Sequence, residues 1–220
     1  MKNEKATPGY QYIKMLISQG ENQHLDFKYE ISDARKIART LVAFANTDGG
    51  KLLVGVKDNG KIAGVRSEEE LYMIELAANF YCRPVIKYSS KKWIVEGRIV
   101  LEIDVESSNK TYYVKDEKNN WKVYIRRDDQ NILANRIYIE ANKRRKRQRA
   151  TFIEYSNDEK KILTYLAEHK NASISSLKKY THLTQKMIEE LLINLLCVDL
   201  VEVEFNERGA FYNLKLSNQL

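Results

Sequence analysis

The sequence predicts an α+β fold in two domains, a mixed domain over residues 1–148 and a smaller one over 149–220. Three observations predict it. Up to residue 148, stretches with the 3.6-residue spacing of an amphipathic helix are interleaved with short strand-like runs. From residue 156 onward, three helical stretches are followed by two strands. The charge shifts between the two parts: residues 151–220 hold eight Lys/Arg against ten Asp/Glu, net −2, whereas residues 1–150 carry +9.

Taken in order, residues 10–19 place Tyr10, Ile13, Leu16 and Ile17 at helical spacing, with Pro8 in the lead-in and Gly20 as the stop. LDFKYEI, residues 25–31, alternates like a strand. Ser32 is placed to cap a helix with Ile37, Leu41, Phe44 and Ala45 on one face. Asn46-Thr47-Asp48-Gly49-Gly50 reads as its C-terminal cap, with one glycine in the left-handed conformation. KLLVGVK, residues 51–57, is apolar enough for a strand covered on both faces. Asn59-Gly60 predicts a type I′ hairpin turn with KIAGV as the returning strand. Gly55 and Gly64 thin that hairpin, as if something approaches its backbone closely. Ser67-Glu68-Glu69-Glu70 reads as a capping box opening a helix to about Tyr81, and Pro84 stops it. VIKYSS, VEGRIVLEIDVE, KTYYVKD and WKVYIRR read as strands, and NILANRIYIEANKRRKRQR as a helix ending in a basic run.

In the second domain, Ser156-Asn157-Asp158-Glu159 is another capping box, opening a helix with Ile162, Leu163, Tyr165 and Leu166. SISSLKKYT makes a short second helix. LTQKMIEELLINLLC makes a third, with Met187, Leu191 and Leu195 at helical spacing. VEVEF, a turn over residues 206–209 and AFYNLKL form a hairpin. Three helices and a two-stranded wing in that order predict a winged helix-turn-helix.

The composition, 43% hydrophobic and 30% charged, is that of a globular protein. Apolar runs of only a few residues exclude a membrane span, so no membrane partner is expected. MKNEKATPGY lacks the apolar core of a signal peptide. Cys82 and Cys197 lie far apart and read as idle thiols, so a cytoplasmic protein is expected. Net charge is +7, and the run Lys143 to Arg149 alone supplies +6. Such charge favours polyanions, nucleic acid first, although a solvated helix end has the same composition.

Two motifs give the first domain a family likeness. One is Glu21-Asn-Gln-His-Leu-Asp26-Phe27-Lys28. The other is Ala43-Phe44-Ala45-Asn46-Thr47-Asp48-Gly49-Gly50, followed by Leu53-Val54-Gly55-Val56 and Asp58-Asn59-Gly60. In this order they resemble the Schlafen AlbA-like domain, continuously over residues 15–65 and more weakly to about 140. Bacterial members of that family are described as transcriptional regulators or, under a divergent-AAA label, as ATP-binding, and a following winged helix is common among them. The resemblance implies a nucleic-acid-binding function. For the nuclease members it also implies three catalytic carboxylates, which map onto Glu21, Asp26 and Asp58. Asp26 stands where the family pattern has Glu, one methylene longer.

On their own chemistry, three converging carboxylates can hold Mg²⁺ or Mn²⁺ and activate water on a phosphodiester. The same residues have structural readings. Asp58 precedes Asn-Gly, where Asp is a common turn residue; Glu21 can cap an element; Asp26 and Lys28 can pair on one strand face. Asn46, Thr47, Gly49 and Gly50 form a candidate phosphate cradle for a nucleotide. No Walker motif is present, and His24, His169 and His182 and the two cysteines make no zinc pattern.

Candidate phosphate contacts in the first domain are Lys28, Arg126, Arg127, Lys143, Arg144, Arg145, Lys146, Arg147 and Arg149. Trp121, Tyr124 and Tyr138 are stacking candidates, or core. In the second domain they are Lys178, Lys179, Lys186 and Arg208, against Glu189 and Glu190 on the same third helix. The run LLINLLC suits either a core or a homo-oligomer face. The favoured reading is a nucleic-acid-binding protein of the transcriptional-regulator type acting on DNA or RNA. The alternatives are a metal-dependent endoribonuclease using Glu21, Asp26 and Asp58, and a nucleotide-sensing interaction module.

Overall fold

A computed structural model describes residues 8–65, 68–147, 156–206 and 208–215. The chain is α+β and divides into two compact units, Met1–Ala134 and Asn135–Leu220. Among the described residues no helix is long and apolar enough to cross a membrane.

In chain order the first unit contains α1 (Pro8–Ser18), β1 (Leu25–Lys28), α2 (Ala34–Asn46), β2 (Gly50–Val54) and α3 (Glu69–Leu76). It continues with β3 (Cys82–Arg83), β4 (Ser89–Val95), β5 (Arg98–Val105), β6 (Tyr113–Lys115), β7 (Trp121–Lys122), β8 (Tyr124–Arg127) and β9 (Gln130–Leu133). The main sheet has the order β1-β2-β5-β4, with β1 and β2 parallel and the other pairs antiparallel. Helices cover both faces. Ile13 and Leu16 of α1 pack with Leu25, Phe27, Leu53 and Val100. Ile37, Leu41 and Phe44 of α2 pack with Leu52, Val54, Leu101 and Ile103. This double cover is why β2 reads as a continuous apolar run. β1 breaks the alternation expected of it: Leu25, Asp26 and Phe27 are all buried.

Several local expectations shift. Asp33, not Ser32, caps α2, accepting the Arg35 N–H at 2.8 Å. At the other end Gly49 takes the left-handed conformation (φ 78°), and a Cβ there would lie 2.8 Å from the Val105 carbonyl oxygen. The Asn59-Gly60 turn is not type I′, since only Gly60 has positive φ. Instead Gly60 N–H bonds Lys57 O and Lys57 N–H bonds Lys61 O, a three-residue loop ending in a left-handed glycine. KIAGV contributes one bridge, Val56 to Ile62, and β2 takes β1 and β5 as partners. The two-residue turn with positive φ at both positions lies at Glu96-Gly97, inside a stretch that reads as one strand. What approaches Gly55 (φ 91°) is the backbone of Gly64, whose N–H bonds Gly55 O at 2.9 Å. α3 runs on into a wider π-helical turn over Ala77–Tyr81; Ser67 of the expected box lies outside the described residues.

The second unit contains α4 (Arg136–Lys146), α5 (Asn157–Glu168), α6 (Ile174–Thr181), α7 (Gln185–Cys197), β10 (Val201–Asn206) and β11 (Gly209–Leu214). The boundary falls at 134/135 rather than the expected 148/149. The reason is packing: Ile137 and Ala141 of α4 are buried with Leu192, Leu195 and Leu196 of α7. The expected helix over 131–149 also begins later, because Gln130–Leu133 is β9 and Asn135 is the cap, accepting the Tyr138 N–H. On α7 the buried side chains are Ile188, Leu192, Ile193, Leu195 and Leu196, while Met187 is exposed. The LLINLLC run is thereby spent on the core. Ala172, between α5 and α6, bridges Tyr212 of β11 through two backbone hydrogen bonds.

Moving the boundary changes the charge account. Residues 135–220 hold fifteen Lys/Arg against eleven Asp/Glu, net +4, where the segment 151–220 has −2.

Gly55→Ala would force a Cβ to within 2.8 Å of the Gly64 carbonyl carbon at a left-handed φ. Chemical denaturation is expected to show a loss of about 1–3 kcal/mol.

Candidate functional site

The motif residues of the first unit surround a buried ion pair. Asp26, on β1, is 3% exposed and Arg126, on β8, is 2% exposed. Arg126 Nη2 donates to Asp26 Oδ1 at 3.1 Å and to Leu25 O at 3.1 Å. Its Nε donates to Asn22 O and its Nη1 to Asn131 Oδ1, and the guanidinium carbon lies 5.3 Å from the Phe44 ring centroid. Asn131 in turn donates to Thr40 of α2. Arg126 was expected to face phosphate; instead its donors are consumed inside the unit.

Neighbouring polar groups hold the same frame. Gln23 Nε2 donates to Arg126 O and to Asp48 Oδ2, and Gln23 Oε1 accepts the Asp128 N–H. Asn46, at the end of α2, accepts the Tyr112 N–H and donates to the carbonyls of Tyr112 and Tyr124. Thr47 Oγ1 donates to Ala43 O and accepts the Arg126 N–H. The N–H groups of Thr47 and Gly49 both go to Phe44 O, and Gly50 is in register with Val105 in the sheet. The expected phosphate cradle at Asn46, Thr47, Gly49 and Gly50 is therefore a closed structural clamp, its donors already engaged.

Of the three candidate carboxylates, Glu21 and Asp26 lie together around Lys28. Glu21 Oε1 accepts the Phe27 N–H at 2.8 Å. Burial first, and the adjacent Asp26 carboxyl, push Glu21 above its ordinary pKa, with the Phe27 N–H acting the other way. Lys28 Nζ sits 2.8 Å from Asp26 Oδ2 and 3.9 Å from Glu21 Oε1. The same ammonium donates to Phe27 O, and Asp26 Oδ2 is buried against its positive charge. Asp58 stands exposed on the Lys57–Gly60 turn. Among the described residues no three His, Cys, Asp or Glu side chains form a group that could hold a metal ion. Lys28 and Arg126 already supply the charge that Mg²⁺ or Mn²⁺ would bring. As placed, Glu21 and Asp26 flank Lys28 and do not form a metal-holding group with Asp58.

A second buried acid lies on the α1 face of the sheet. Glu102 of β5 is 6% exposed and accepts three hydrogen bonds: Tyr12 Oη at 2.7 Å, Lys51 Nζ at 3.0 Å and Trp93 Nε1 at 2.6 Å. Burial alone would raise its pKa; the three donors outweigh burial and hold Glu102 below the ordinary carboxylate value. Sequence reasoning passed over Glu102, although a lone acid within RIVLEIDV is a signal that burial demands partners. It also missed the structural role of Asn46, whose signal was a polar side chain ending an otherwise apolar helix.

The basic residues divide. On α4, Arg144 grips Glu190 through two bonds of 2.6 and 3.0 Å and also donates to Asn194. Arg145 pairs with Asp199 at 3.0 Å and donates to Leu196 O. Lys143 is half-buried and Arg147 exposed, Arg127 is half-buried, and Arg149 and the Lys146 side chain lie outside the described residues. Lys178, Lys179, Lys186 and Arg208 are all exposed. Of the aromatics, Tyr124 packs on the α2 core and Tyr138 meets Phe205 edge-on, whereas Trp121 is exposed.

The family model described as Schlafen, AlbA_2 matches residues 21–135. Two solved structures are similar to the chain. The DIP2311 protein from Corynebacterium diphtheriae is 18% identical, with 86% of this chain and 34% of that chain covered and a TM-score of 0.44. The N-terminal domain of an ATP-dependent DNA helicase RecG-related protein from Nitrosomonas europaea is 20% identical, with 59% and 96% covered and a TM-score of 0.41. The chain thus spans about a third of the length of the Corynebacterium protein. No curated protein matches it.

Arg126→Met leaves Asp26 buried without its main partner and is expected to cost about 3–5 kcal/mol in denaturant melts; adding Asp26→Asn should recover part of the loss. Glu102→Gln should lower the melting temperature at pH 7. Because the folded pKa of Glu102 is depressed, its contribution is present above the ordinary value of 4.5 and is lost as pH falls through the folded value. The gap between wild type and Glu102→Gln should therefore close on acidification.

Proposed function

We propose a function from one premise: the chain belongs to the Schlafen AlbA_2 family. It is a nucleic-acid-binding protein. Its finer role is that of a DNA-binding transcriptional regulator, in which the second unit acts as a winged helix.

The observation that carries this reading is the pairing of Arg144 with Glu190. In a winged helix the third helix enters the major groove, where carboxylates repel the phosphates on either side. Both glutamates on that side of α7 have partners. Glu190 is held by Arg144, and Glu189 accepts from Gln185 at 2.8 Å with Arg136 at 3.9 Å. Hydrogen bonding to Arg144 keeps Glu190 ionised below its ordinary pKa. The pair is too exposed to add much stability; its effect is to cancel charge. Lys178 and Lys179 near the end of α6, Lys186 at the start of α7 and Arg208 in the wing are then left to meet the backbone. The second unit's net charge of +4 supports the same reading.

Fluorescence anisotropy with a labelled DNA duplex tests this. Affinity should fall linearly on a log–log plot against salt. Replacing Lys178, Lys179 and Lys186 by Ala should weaken binding and flatten the slope by about 2–3, at roughly 0.9 per phosphate contact. Absence of salt-dependent binding by the wild type, or an unchanged slope in the triple variant, would overturn the reading.

A further inference from the structure

The arginines of this chain are used in two ways. Arg126, Arg144 and Arg145 spend their donors on carboxylates and carbonyls. Arg35, Arg39 and Arg83, all in the first unit, are laid against aromatic rings instead. The Arg35 guanidinium carbon is 5.2 Å from the Tyr81 ring centroid, that of Arg39 5.8 Å from Tyr124 and that of Arg83 5.9 Å from Trp121. Among the described residues none of these three guanidiniums pairs with an acid or donates to a carbonyl. Asp33, the acid nearest Arg35 in sequence, is occupied as the cap of α2.

The three pairs adjoin one another. Arg35 and Arg39 stand one turn apart on α2, on one face and about 6 Å apart along its axis. Tyr81 closes the π-helical turn, and Arg83 follows two residues later on β3. In the small sheet β3-β6-β7, Arg83 reaches across β6 to Trp121. Lys115 of β6, in register with Trp121, places a further cation on the same sheet face. Trp121 and Tyr124 are the first residues of the consecutive strands β7 and β8.

A guanidinium resting on a ring keeps its in-plane N–H groups free at the edge, where a phosphate takes two of them at once. The ring also restricts the side chain beforehand, so less freedom is lost when a ligand arrives. Trp121, 40% exposed, presents an indole on which a base can stack. A duplex covers the faces of its own bases, so an exposed indole serves an unpaired strand. We propose that this arginine–aromatic track binds single-stranded nucleic acid. Neighbouring phosphates lie at Arg35 and Arg39, another lies at Arg83, and an unpaired base stacks on Trp121. The track is wholly within the first unit, so it goes beyond the duplex contact of the second unit and does not rest on it.

The test uses the full chain with Lys178, Lys179 and Lys186 replaced by Ala, which removes the duplex contacts proposed for the second unit. Fluorescence anisotropy with a labelled ten-nucleotide oligothymidylate, which cannot pair with itself, should show saturable, salt-sensitive binding, with Trp fluorescence quenched. Adding Arg35→Gln and Arg39→Gln should flatten the log–log salt slope by about 1.4, at roughly 0.7 per phosphate contact in a single strand. Trp121→Ala should weaken binding about tenfold and leave the slope unchanged, and Trp121→Phe should restore most of the affinity. Loss of duplex binding in the lysine variant reports on the second unit alone; loss of strand binding in the arginine and tryptophan variants reports on the first. The proposal is overturned by any of four results: no salt-sensitive binding of the oligothymidylate, an unchanged slope in the arginine variant, undiminished affinity in Trp121→Ala, or a duplex of the same length bound as tightly as the single strand.

Discussion

The first unit depends on the buried pair between Asp26 and Arg126. The two residues are a hundred positions apart, and their contact joins β1 to the β8–β9 hairpin across the end of α2. Desolvating both charges is costly, and the pair is tolerable only because the guanidinium's remaining donors find Leu25 O, Asn22 O and Asn131. Those acceptors lie in the loop before β1, in β1 itself and in β9. The loop before β1, the hairpin after β7 and, through Thr40, helix α2 are thus placed by one side chain. Asn46 repeats the device at the end of α2, with three bonds to the backbone around Tyr112 and Tyr124. Polar groups of this kind add less to stability than they do to uniqueness, since only one arrangement satisfies them all.

Charge in the second unit is organised by the same logic, with the sign reversed. A basic run in sequence suggests a surface that offers its whole charge to a polyanion. Two of its arginines instead pair at the surface with acids of the same unit, Glu190 and Asp199. What the run contributes is the removal of repulsion from the helix face next to it. Net charge is a property of whichever residues share a compact unit, so the sign could not be assigned before the boundary was known. Ile137 and Ala141 decide that boundary by packing on α7.

The large features were legible in the sequence because they rest on periodicity: α1, α2, the apolar β2 and the order of three helices and a hairpin. Less was legible where two local codes compete. Asn59-Gly60 is a strong hairpin signal, yet the turn it makes has positive φ at Gly60 alone, because β2 continues into pairing with β1 and β5 rather than with KIAGV. Glu96-Gly97 lacks the usual Asn or Asp and was hidden in a long strand-like run, although it makes the tight two-residue turn. Of the stripe expected on α7, Leu195 is buried and Leu191 packs on the core, while Met187 is exposed and its neighbour Ile188 is buried instead, a difference that a helix wheel scarcely resolves within so apolar a run. Site residues were legible as a set but not in their roles. A motif records that Glu21, Asp26, Lys28 and Asn46 matter together; it is silent on Arg126, which completes them from the far end of the unit.

The two buried acids of the main sheet show why those roles separate. Asp26 lies in register with Leu52, on the α2 side, whereas Glu102 accepts from Tyr12 and Trp93 on the α1 side. Asp26 is enclosed by full charges, Arg126 and Lys28, and is walled in by protein. Glu102 is satisfied mainly by neutral donors whose rings remain at the rim of a cavity, with one lysine beneath. An acid locked between cations has little negative potential left to project outward. Glu102 pins the Tyr12 and Trp93 rings and shares Lys51 with Asp104, so its charge too is answered inside the unit. The motif that marks the family therefore sits where one face of the sheet is secured, and a second polar knot around Glu102 secures the opposite face.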